Sequence, residues 1–385
     1  MSTKLATAVL LLPLVSASAP STLAQQTGTL VGTTPGSAVN RGFRVIREVP
    51  PPPTCGPAAA SASVNDAPAL PDFVFSRMDL VCVRHSDGRF EQLPKDVEGV
   101  WSPDGHELAY WNKDKHELHL RSTANGSDTI IDSLPAFIPQ AMHWSVKGHA
   151  LIYPVNTTNP IHYRVLDLDS GKRSIVDQGL TRILGAPDPA HLLAVSQNAV
   201  ERISVSDGKH EVLATVNSPD SAEYSPRGTW LAIRVPGPGG GREAGDDDTP
   251  DCTGGSFAIV LQSTATKQLL PIPFPEGSDD LLDFSFSPAE DALAVTFGRV
   301  GCDYPGEMAR VYIVSLPSLS LAPLSPVDRM SVQAHWSPDG KTIIYSDYTG
   351  SDTPLIAVDL HSGKAAKLTN PGQNGPDTFL SWRKP

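Results

Sequence analysis

Trp101-Ser102-Pro103-Asp104-Gly105 returns letter for letter at Trp336-Ser337-Pro338-Asp339-Gly340. Degraded copies stand between them: Trp144-Ser145-Val146-Lys147-Gly148, Tyr224-Ser225-Pro226-Arg227-Gly228 and Phe286-Ser287-Pro288. Gly185-Ala186-Pro187-Asp188 is a fainter copy that has lost the aromatic, and Ser381-Trp382 is a last remnant. The anchors at 101, 144, 185, 224, 286, 336 and 382 lie 43, 41, 39, 62, 50 and 46 residues apart. A period of about 40–45 residues marks a propeller or solenoid array. Each pentapeptide reads as the end of a strand followed by a tight turn. Pro presets φ, Asp bonds its own backbone two residues on, and Gly takes positive φ cheaply. A short apolar strand follows each turn, as in Leu108-Ala109-Tyr110, Leu231-Ala232-Ile233 and Ile343-Ile344-Tyr345. A third strand comes next, then a fourth after a Gly turn such as Asp169-Ser170-Gly171-Lys172. Four short strands per repeat describe one blade of a β-propeller, so the expected fold class is all-β.

Over about residues 72–385, the W-S-P-D-G turn followed by an apolar strand resembles the PD40-type (WD40-like) repeats of the TolB-like propeller family. That resemblance implies the fold and leaves function open. Similar blades occur in TolB, in tricorn-type proteases and ahead of prolyl-oligopeptidase catalytic domains. Residues 25–71 depart from TolB, which carries an α/β domain ahead of its propeller. Their Ala/Pro-rich composition, with Pro50-Pro51-Pro52-Pro53 in the middle, reads as a linker or strap. The family's role in envelope energy coupling is therefore not carried over.

Three strands, at 73–76, 80–83 and 90–93, precede the first anchor, and one first strand, 378–382, stands alone after the last. Together they make one composite blade that joins the two ends and protects the ring's open edges. The expected ring then has seven blades, or six if the Gly185 unit is not a blade.

Residues 1–24 read as a signal peptide, with Lys4, an apolar stretch over 5–15 and Thr22-Leu23-Ala24 before the cleavage point. The expected address is periplasmic or secreted, and no later stretch is long and apolar enough to span a membrane. A net charge of −12 over 385 residues argues against nucleic acid, whose phosphates require a basic surface. The expected partner is a protein or an extracellular ligand, met by a monomer. An exported chain with four cysteines invites disulfides. Cys252 and Cys302 fall at equivalent places between the second and third strands of adjacent blades, which pairs them; Cys55 with Cys82 follows by elimination.

In a four-stranded antiparallel blade, the turns after strands one and three point to one face and the connections after strands two and four to the other. The first class is uniformly tight here. The second carries the insertions 236–256 and 298–309 and a smaller one at 346–354, which makes that face the candidate binding face. Arg242, Asp246, Asp247, Asp248 and Asp251 on the largest insertion are candidate contacts. Their spacing is not that of an EF-hand, and no metal is assigned. Residues next to the anchors, on the innermost strands, are Glu98, His143, Arg182, Glu223, Asp283, Gln333 and His335. Of these, His143, His335 and Glu223 are the candidate acid–base set. No G-x-S-x-G nucleophile elbow and no cofactor motif occurs. The favoured expectation is a binding protein; the alternative is a propeller enzyme (a lyase, lactonase or glycan hydrolase) working in the channel.

Overall fold

The serine of each repeat, not only the Pro-Asp-Gly that follows, builds the turn. Ser102 Oγ donates to Asp104 Oδ1 (2.6 Å) and accepts from Glu107 N (3.0 Å), while Gly105, at φ 70°, donates its N–H to Ser102 O. The same bonds recur around Ser337, with Oγ to Asp339 Oδ1 at 2.6 Å and Thr342 N to Oγ at 2.9 Å. Ser145, Ser225 and Ser287 each accept from the first backbone N–H beyond their own turn. All five serines are buried, and a buried hydroxyl costs free energy unless it is bonded in this way. Ser therefore survives in copies that have lost Pro, Asp or Gly.

The computed structural model describes residues 54–56, 70–78, 80–92, 98–112, 114–122, 125–134, 141–156, 161–177, 181–237, 256–298, 309–348, 353–371 and 376–382. These form twenty-eight strands, numbered β1–β28 in chain order, in seven four-stranded antiparallel sheets. The ring is a seven-bladed propeller. Blade 1 is composite: β28 (Asp377–Trp382) lies innermost, followed outward by β1 (Phe73–Arg77), β2 (Leu80–Arg84) and β3 (Phe90–Gln92). Blades 2 to 7 each use four consecutive strands, with innermost strands β4 (Glu98–Trp101), β8 (His143–Trp144), β12 (Arg182–Asp188), β16 (Ser221–Tyr224), β20 (Asp280–Phe286) and β24 (Ser331–Trp336).

Register fixes the equivalence of the repeats. Trp101 pairs with Leu108, Trp144 with Leu151, Tyr224 with Leu231, Phe286 with Leu293 and Trp336 with Ile343. Gly185 pairs with Leu193, one residue later across a bulge, so it holds the aromatic position of a true blade. The reading of Gly185-Ala186-Pro187-Asp188 as a turn needs correction, because β12 continues through Asp188. The turn of blade 3 accounts for this: Val146 N and Lys147 N donate to Ala186 O and Pro187 O, holding that stretch extended. His143 fills the room left by the missing aromatic, its Cβ and Cγ 4.0 Å from where a Gly185 Cβ would stand.

Apolar burial is divided among the blade junctions. Trp144 packs with Ala109, Trp111 and Leu118 of blade 2, and its Nε1–H donates to Val100 O at 3.0 Å. Tyr224 sits against Leu193, Val195 and Leu213 of blade 4, Phe286 against Ile259 and Leu261 of blade 5, and Trp336 against Ala294 and Val311 of blade 6. Each aromatic is thus a wedge into the preceding blade.

The closure joins residues 300 positions apart. Arg77 Nε donates to Asp377 Oδ1 (2.6 Å) and Nη2 to Oδ2 (2.8 Å), and both side chains are 0% exposed. Arg77 Nη1 donates to Thr54 O and Gly56 O. Cys55 is disulfide-bonded to Cys82 on β2, across 27 residues, which the chain-entropy account puts at about 3.5 kcal/mol. Residues 54–56 are thereby fixed to the composite blade. Cys252 and Cys302 lie outside the described residues. Among the described residues, no helix is long and apolar enough to cross a membrane.

Candidate functional site

The innermost strands carry the expected channel residues, and burial sets their chemistry. His335 on β24 packs its ring on Phe379 of β28 at 4.7 Å between centroids, and burial pulls its pKa down to about 4. It is neutral at physiological pH. Burial also lowers the pKa of His143 on β8. Glu223 on β16 has a water-accessible side chain, yet the blades around it displace most of the solvent that would stabilise its charge. Its pKa is pushed up to about 7. Asp283 on β20 is also raised by burial, although Thr296 Oγ1 (2.7 Å) and Gln333 N (2.5 Å) donate to it. Gln333 stands at a bulge in β24 with φ 58°, and its Oε1 is buried without a hydrogen-bond partner among the described residues. The Glu98 side chain lies outside the described residues.

His143, Glu223 and His335 belong to blades 3, 5 and 7, no two of which adjoin. Among the described residues, no three His, Cys, Asp or Glu side chains gather closely enough to hold a metal ion. Within the lumen, Glu223 is a group whose protonation changes near neutrality. Its proton is bound more tightly folded than unfolded. That contribution to stability is complete below the ordinary carboxyl range, and it fades as pH rises through about 7. Glu223→Gln should therefore melt like the parent near pH 4 and above it near pH 8. Superimposable differences at both pH values would refute the assignment.

The remaining expected residue, Arg182, lies on the face of the long connections. It lines a groove of about 430 Å³ between blades 4 and 5, together with Thr181, Ser196, Asp220 and Phe257. The Arg182 guanidinium donates to Asp220 O and lies 3.5 Å from Asp220 Oδ1. Arg234 approaches the same carboxylate (3.7 Å) and stacks its guanidinium over the Phe257 ring, 3.8 Å from the centroid. A cation over an aromatic face in a partly dry site is worth about 1–2 kcal/mol, which holds the groove's wall in place. The main insertion leaves at Gly237 and returns at Ser256, where Gly237 N donates to Ser256 O at 2.7 Å. Its root therefore stands beside Phe257, at the rim of the groove. Arg242, Asp246, Asp247, Asp248 and Asp251 lie outside the described residues. Sequence reading placed Arg182 beside the channel rather than in this groove, and it did not single out Asp220 or Phe257. The one available signal was that Ser218-Pro219-Asp220 falls in a connection of the long-loop class.

No family model and no curated protein matches the chain. Solved structures do. An oligogalacturonate lyase from Vibrio parahaemolyticus is 14% identical, with TM-score 0.53, over 78% of this chain and 84% of that one. A prolyl endopeptidase is 14% identical, with TM-score 0.51, over 77% of this chain and 49% of that one. TolB from Acinetobacter baumannii is 13% identical, with TM-score 0.45, over 80% of this chain and 66% of that one. At such identities the likeness is one of fold. With the repeats and the strand order, it places this chain among the β-propellers in architecture.

Proposed function

We propose that this chain is an exported binding protein that takes a protein or an envelope or extracellular ligand on its long-connection face. The groove lined by Arg182, Asp220 and Phe257 at the root of the largest insertion carries this reading. It joins an arginine to an aromatic wall, and arginine and aromatic side chains are enriched among the residues that carry binding energy at protein interfaces. Replacing residues 238–255 by a short Gly-Ser linker, or Arg182 by Ala, should cut recovery of the partner in a pull-down from envelope extract. The Arg182→Ala loss should be about tenfold in affinity. An unchanged set of captured partners at unchanged yield would sink the proposal.

A second reading, a lyase, lactonase or glycan hydrolase, is supported by the near-neutral carboxyl of Glu223 in the lumen. The fold neighbour that is a lyase adds no residue to it.

A further inference from the structure

On the opposite face, where the tight turns gather, lies a cleft of about 300 Å³ at the junction of blades 4 and 5. The turn of blade 3 closes one side of it, with Lys147 Nζ reaching past blade 4 to donate to Arg227 O at 3.0 Å. Four cations, Lys147, Arg202, Arg227 and Lys267, face two carboxylates, Asp188 and Glu211. The cleft is thus locally positive in a chain whose net charge is −12.

Both carboxylates are occupied. Glu211 takes the Arg202 guanidinium at 2.5 Å, and Asp188 bonds His191 Nδ1 at 2.9 Å and accepts from Ala190 N at 2.9 Å. The side chains of Arg227 and Lys267 have no protein partner among the described residues. The floor supplies an independent observation. Gln262, on β18 (Phe257–Ser263), lines the cleft and is 3% exposed, and no protein group among the described residues hydrogen-bonds its amide. Buried side-chain amides are normally bonded, and this one opens onto the cleft, where its partner is whatever the cleft holds.

We propose that this cleft binds a small organic or inorganic oxyanion, with Arg227 and Lys267 taking its charge and the Gln262 amide a neighbouring oxygen. Arginine and lysine beside a desolvated amide suit a carboxylate or a phosphate, and the volume admits a ligand of metabolite size. The site is separate from the long-connection face and does not depend on what binds there.

Calorimetric titration of the full chain with citrate and with inorganic phosphate tests the proposal. Binding of at least one probe in the millimolar range is expected, and which probe binds tells a carboxylate site from a phosphate site. Arg227→Ala with Lys267→Ala should weaken it by about tenfold or more, because two charge-assisted contacts are lost. Both residues are exposed, so a thermal melt should show the variant folded. Gln262→Leu should weaken binding with the charges intact, while Arg182→Ala, on the other face, should leave it unchanged. Failure of both probes to bind up to about 10 mM, or equal binding by the double variant, would overturn the site.

Discussion

Asp377→Ala should lower the unfolding free energy by about 3–5 kcal/mol, among the largest losses expected of a single substitution in this chain. Among the described residues, the carboxylate is the one acidic partner of a guanidinium that is itself 0% exposed, so its removal leaves a buried cation without a counter-ion. Asp377 also links blade 1 to blade 7, since its N–H donates to Thr353 O and its carbonyl accepts from Ser346 Oγ. Those backbone bonds survive the substitution, which makes the measured loss a property of the ion pair. Arg77→Ala should cost a comparable amount and also releases Thr54 O and Gly56 O. Arg77→Met with Asp377→Leu should recover much of either loss, because an apolar pair of similar volume carries no desolvation cost. Urea denaturation of the four proteins of this double-mutant cycle provides the test. A loss below about 1 kcal/mol for Asp377→Ala would show that the ion pair does not hold the ring shut.

Trp144→Ala should cost about 3–5 kcal/mol by a different route. The indole is the wedge between blades 2 and 3, packed on Trp111 and Leu118, and stacked on His149 with ring planes 5° apart. Its loss leaves a cavity at a junction that each side can fill only by moving a whole sheet, and it strands the Val100 carbonyl that Nε1 satisfied. Trp144→Phe separates the two effects. It keeps most of the apolar contact and should cost about 1–2 kcal/mol, most of it the hydrogen bond and the partial void. Thermal or urea melts of both variants decide the matter. Equal losses for Phe and Ala would mean that the hydrogen bond, not the packing, carries the junction.

Local chemistry made most of the architecture legible. A Ser-Pro-Asp-Gly turn specifies its own geometry within five residues, so every copy announced one inner hairpin. Even the Gly185 blade, without its aromatic, was placed by spacing alone, and pairing with Leu193 bears this out. The composite blade was legible because three unpartnered strands at one end and one at the other had a single way to be satisfied. The Arg77–Asp377 pair was not, since each residue sits in a strand whose alternation leaves its inward or outward sense open. The bulge at Gln333 was hidden too, because nothing in Ser331-Val332-Gln333-Ala334 demands a positive φ. The groove proposed for binding was less legible. Loop length told which face is built up, but Asp220 and Phe257 acquire meaning only when two blades adjoin.

The composite blade also sets a condition on how the molecule is made. Strands β1 to β3 are synthesised before the other blades of the ring, yet the neighbour that covers the β1 edge is β28, which follows those blades in the chain. Until residue 382 has been delivered, that edge presents unpaired N–H and C=O groups to any other extended chain nearby. A stalled or clipped product lacking β28 is therefore a sticky intermediate, and cells that make the protein have reason to keep the emerging chain escorted until that strand arrives.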